Sequence, residues 1–157
     1  MDIALINGLT RTEVMPPQDV WFSGHTINYY YFGHYIVAVV AKLTSISNSI
    51  LYNIFIAYTF ATAATGMFSI VHHLTKRAWV GIFSSFLLVL GGNLSFLNHL
   101  LLQNGVDYFY ADARSLIERT INEFPAYSFI IGNLHAHIIS VPFVLLVIAL
   151  CVVSIEF

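Results

Sequence analysis

Charged residues fall in clusters, and the uncharged stretches between them set the pattern of the chain. No Asp, Glu, Lys or Arg lies between Asp19 and Lys42, Lys42 and Lys76, Arg77 and Asp107, or Glu123 and Glu156. Each stretch is long enough for the roughly 20 residues a helix needs to cross about 30 Å of hydrocarbon. A helix also satisfies its backbone within one segment, as a bilayer interior demands. The pattern predicts an all-α, polytopic transmembrane helix bundle with about four membrane helices, over 27–45, 49–71, 78–102 and 134–155. Residues 1–26 read as a polar loop and 103–133 as a polar surface segment, all within a single membrane region, 1–157.

Within the first predicted helix, Asn28, Tyr31 and Tyr35 share a face, and Tyr30 pairs with His34 at i+4 beside it. Such a stripe suits either an interfacial aromatic belt or a polar lining buried in a cavity. The second helix carries Ala57, Ala61 and Thr65 at four-residue spacing beside Gly66, a surface that lets another helix approach closely. Gly91-Gly92-Asn93 interrupts the third. A kinked span is the expectation there, with a broken helix lining a cavity as the alternative.

Composition sharpens the class. The 157 residues are 58% hydrophobic and 9% charged, against about 25% charged in a soluble domain. Mean hydropathy is +0.78. A soluble globular domain and a disordered chain are both excluded, the second because aromatics make up 15%. A net charge of −2 leaves no basic footprint for nucleic acid. Cys151 is the single cysteine, so no disulfide framework exists. Both ends read as cuts through a larger protein.

Candidate chemistry gathers in the two polar segments. The first holds Asp2, Arg11, Glu13, Asp19 and His25, which suit a general base or a cation. The second holds Asp107, Asp112, Arg114, Glu118, Arg119 and Glu123, followed by Asn133, His135 and His137. Two imidazoles two residues apart face one way only in an extended or cap conformation. That conformation would favour a divalent metal on His135 and His137.

The run Trp21-Phe22-Ser23-Gly24-His25-Thr26-Ile27-Asn28-Tyr29-Tyr30-Tyr31-Phe32-Gly33-His34 resembles the signature of the YYY membrane protein family. A second run, from Thr120-Ile121-Asn122-Glu123-Phe124-Pro125 to Gly132-Asn133-Leu134-His135-Ala136-His137, is similar to another motif of that family. Pro16-Pro17-Gln18-Asp19 and Gly92-Asn93-Leu94 match as well. Where the family has Gly-Asp-Leu-His-Pro-His, this chain carries Asn133 and Ala136. Members are large polytopic proteins of archaea and bacteria, including Chloroflexi. They are distantly similar to the GT-C class of membrane glycosyltransferases.

The resemblance implies a multi-pass protein of the cell membrane that takes a sugar from a polyprenyl-phosphate donor, in company with further transmembrane helices. By position it implies Asp2 as the base on the acceptor, with Asp19 as the second candidate. Arg114 would bind lipid phosphate, since a guanidinium suits phosphate oxygens. Glu123, His34 and Tyr31 are further candidates for substrate contact. A transporter or channel segment, suggested by the polar stripe, and a non-catalytic bundle are the alternatives. A composite site demands that Asp2 and His135 share one face, and then the segments between them cannot all cross.

Overall fold

Leu5, Ile6 and Leu9 fall on one side of a helix, and this apolar face makes a helix of what composition alone marks as a polar loop. Helix α1 spans Asp2–Arg11, with Asp2 in its first turn and Arg11 in its last, both signs favourable to the helix dipole. In the computed structural model, which describes residues 1–92, 101, 117 and 120–156, α1 packs along α2, Phe32–Thr44. Helix α3 follows over Asn48–Thr75, then α4 over Ala78–Leu90. Beyond these come α5, Pro125–Ile131, and α6, Ala136–Glu156. No strand occurs among the described residues, where an isolated bridge joins Gln18 and Thr26.

Among the described residues two helices are long and apolar enough to cross a membrane, α3 with 28 residues and α6 with 21. At 1.5 Å per residue they measure about 42 Å and 32 Å, against a hydrocarbon core of about 30 Å. Most of their side chains face outward. Phe143, Val144, Leu146, Val147, Leu150 and Ile155 of α6 are all exposed, unlike those of a core helix in a soluble protein. Pro142 is carried inside α6, as membrane helices allow.

The other two predicted spans are shorter than the charge gaps suggested. Helix α2 has 13 residues and starts at Phe32 rather than near 27. Residues 12–31 precede it as loop, drawn back on itself by hydrogen bonds from Asp19 N–H to the His25 carbonyl and from Ile27 N–H to the Pro17 carbonyl. Helix α4 also has 13 residues and ends at Leu90, where Gly91 is extended. A Cβ at Gly91 would run into the Leu87 carbonyl. The expected kink is thus a helix end, and Asn93 and the residues up to Leu100 lie outside the described residues.

The chain divides into two compact units, one of Met1–Thr62 with Gly132–Phe157 and one of Ala63–Ile131. In the first, Ile6, Val37, Ala41, Leu51, Leu134 and Ile139 form a buried core, flanked by Val40, Tyr52, Phe55 and Ile56. Gly33 lets α2 approach α6 closely, since a Cβ there would stand 2.8 Å from Ile139 Cγ2. In the second unit, Gly81 meets Phe68 in the same way, and Ser85 donates to the Ala64 carbonyl at 2.7 Å. The close-packed face of this part of α3 is therefore the one through Ala64 and Phe68. Ala57, Ala61 and Thr65, the expected packing stripe, are exposed.

Candidate functional site

Asp2 is an acidic residue with a relative exposure of 3%, which calls for charged or hydrogen-bonding partners. It finds two imidazoles from distant parts of the chain. His34, in the first turn of α2, places Nε2 3.1 Å from Asp2 Oδ1. His135, immediately before α6, places Nδ1 3.2 Å from the same oxygen and 3.4 Å from Oδ2. Neither nitrogen is well aligned with Oδ1, which lacks a straight hydrogen bond among the described residues, as does the buried Nδ1 of His34.

The neighbouring peptide fixes the His34 ring. Leu134 is fully buried; its N–H donates to the Tyr52 hydroxyl at 3.0 Å, and its carbonyl lies 3.0 Å from His34 Nε2. An acceptor-only carbonyl and an acceptor-only carboxylate at Nε2 put the proton of His34 on that nitrogen. His135 is fixed by the same logic. Its Nδ1 faces the carboxylate and carries the proton, leaving the Nε2 lone pair toward the Tyr29 hydroxyl at 2.9 Å. A hydrogen-bonded line runs from Tyr29 through His135 to Asp2.

Burial pushes the Asp2 carboxyl upward, but contact with His34 and the charges of His135 and His34 outweigh it, so its pKa lies below the ordinary 3.8. The folded state thus binds this proton more weakly than the unfolded chain does. The stabilisation is complete above the unfolded value and is lost as pH falls through the folded one. The thermal midpoint of the intact protein is expected to drop as pH is lowered below about 4, and Asp2→Asn is expected to flatten that limb. An unchanged acid limb in the variant would show that Asp2 does not carry it.

Beside the cluster lies a cavity of about 790 Å³, walled by residues 29–33 on one side and by His137, Ile139, Ser140 and Phe143 on the other. Its lining is mostly aromatic and aliphatic, and Tyr29 belongs both to this wall and to the line ending at Asp2.

The sequence-derived candidates separate clearly. Asp2, His34 and His135 meet. Tyr31 and His137 line the cavity. Asp19 does not join them; its Oδ1 accepts from the N–H groups of Trp21 and Phe22 at 2.8 and 2.9 Å, closing a turn. Glu123 belongs to the second unit. Arg114 lies outside the described residues.

Since α2 begins at Phe32, the expected sharing of a helical face by Asn28, Tyr31 and Tyr35 does not arise. The Tyr30–His34 pair is likewise absent, with Tyr30 80% exposed and His34 0%. His135 takes the cap conformation, its carbonyl accepting from Ile138 N–H, and its ring centroid lies 5.4 Å from that of His137. His135 and His137 each bring a ring nitrogen within 4.8 Å of the other, the spacing a shared cation needs, while the Tyr29 hydroxyl stands 2.9 Å from His135 Nε2. Tyr29 and Tyr52 were not among the candidates. The signal for Tyr29 was the tyrosine triplet itself; for Tyr52, one polar group in an apolar helix.

Two long outward-facing apolar helices and a buried acid–imidazole cluster define a helical membrane protein with a polar site. The match to a family model agrees: over residues 1–156 the chain fits the family of uncharacterised membrane proteins DUF2298, and it belongs to that family. Comparison with curated proteins and with solved structures finds no match.

Proposed function

We propose that the chain supplies the acid–base part of a membrane glycosyltransferase similar to the GT-C class, using a polyprenyl-phosphate-linked sugar as donor. The observation that carries the reading is the ionised, buried carboxylate of Asp2 held between His34 and His135. Buried titratable groups with perturbed pKa beside a cavity are a recurrent mark of catalytic sites. The apolar cavity wall suits a lipid-linked substrate, and Arg114 would steady the departing phosphate.

In the reaction, the acceptor hydroxyl oxygen bonds to the anomeric carbon while the bond from that carbon to the donor phosphate oxygen breaks. Its electron pair leaves with the polyprenyl phosphate, and the acceptor proton passes to the centre built on Asp2. General-base assistance of this kind is worth about 10²–10⁴-fold. Asp2→Asn in the intact protein, assayed in membranes with a polyprenyl-phosphate sugar, is expected to lose turnover on that scale. Turnover at the wild-type level would remove Asp2 from the mechanism.

A further inference from the structure

We infer that His135 Nε2, and not the Asp2 carboxylate, is the atom that takes the proton of a substrate hydroxyl, with Asp2 as the residue that positions it. The Tyr29 phenol holds the place where that hydroxyl binds. The identity of the reaction rests on the glycosyl-transfer reading; the geometry of the proton path does not.

Access separates the two groups. The Asp2 side chain is 4% exposed, whereas that of His135 is 27% exposed. A substrate oxygen must come within about 3.2 Å of its base, and the surroundings of Asp2 leave no such approach. His34 and His135 already stand at that distance from one of its oxygens. His34 is 0% exposed and points its proton-bearing Nε2 at Asp2 and the Leu134 carbonyl, so it is no alternative. His135 is the imidazole that turns a lone pair outward from the carboxylate, and what meets that lone pair is an oxygen of the type a hydroxyl substrate would bring.

Tyr29 supplies the direction. It lines the cavity and donates to Nε2 at once, so a hydroxyl entering from the cavity meets Nε2 by replacing the phenol. The carboxylate behind the ring holds the Nδ1–H tautomer and stabilises the imidazolium that forms when Nε2 takes the proton, as in hydrolase triads. The overall balance is as before: oxygen to anomeric carbon, electron pair to phosphate, and the proton now on Nε2.

Two measurements on the intact protein decide the matter. The first is ¹⁵N NMR of histidine-labelled protein in detergent, with the His135 signals assigned by their loss in His135→Gln. The wild type is expected to show protonated Nδ1 and unprotonated Nε2, and Asp2→Asn to weaken that preference. A wild-type ring protonated at Nε2 alone, or a tautomer indifferent to Asp2→Asn, would overturn the inference. The second is sugar transfer by His135→Ala with and without free imidazole.

His135→Ala is expected to lose at least about 100-fold in turnover, with partial recovery on adding imidazole, which a purely structural loss would not show. Wild-type turnover in His135→Ala, or a loss that imidazole leaves untouched, counts against His135 as the proton acceptor. Failure of the wild type to transfer sugar at all would defeat the glycosyl-transfer reading, while the tautomer would still decide the proton path.

Discussion

Replacing His34 by leucine is expected to destabilise the intact protein by about 1–3 kcal/mol, the usual cost of leaving buried acceptors without their donor. His34 is fully buried, and its Nε2 serves both Asp2 and the Leu134 carbonyl. Leucine fills much of the space but offers neither group a hydrogen, so a carboxylate 3% exposed keeps one imidazole where it had two. Thermal unfolding in detergent measures the effect directly. A loss under about 0.5 kcal/mol, typical of surface substitutions, would mean that His34 does not hold Asp2. The same experiment weighs the channel alternative, in which His34 would face a polar lumen and tolerate leucine.

Leu134→Ala is expected to cost about 2–5 kcal/mol. Its side chain is fully buried in the core with Ile6, Val37, Leu51 and Ile139, so its removal loses both transfer energy and packing. Its backbone binds Tyr52 on one side and His34 on the other, so the two substitutions act on one network. Groups in contact are not additive: the variant carrying both His34→Leu and Leu134→Ala should lose less than the sum of the single variants. Strict additivity would show that the Leu134 peptide and His34 are held independently.

Much of the membrane character was legible from the charge gaps, since a stretch without Asp, Glu, Lys or Arg is long only where water is excluded. Gap length could not show where helices start. The stretch after Asp19 spends its first dozen residues on a turn and the tyrosine triplet, so α2 starts only at Phe32 and runs past Lys42 to reach 13 residues. Helix α1 went unread because it was counted together with the residues up to 26, where Glu13, Asp19 and His25 make the whole stretch polar. Asp2 and His135 were both named, with a shared face as the condition for one site, and a separation of 3.2 Å meets it. What the residues could not disclose was the division of labour among the imidazoles. That depends on ring orientations set by the Leu134 carbonyl at His34 and by Asp2 and Tyr29 at His135, contacts between distant segments that no local pattern encodes.

The shortness of α1 has a consequence for biosynthesis. Ten residues are too few to hold a helix in water without tertiary support, and the contacts that hold this one come from α2, from Asn48 through Asn7, and from Lys42 through the Thr12 carbonyl. The His135 partner of its first residue is made 133 residues later. As the nascent chain emerges, α1 must therefore wait until the ribosome has delivered the start of α6. The acid–imidazole cluster therefore cannot be complete before His135 has been made, and a chain stalled earlier carries Asp2 and His34 without their third partner.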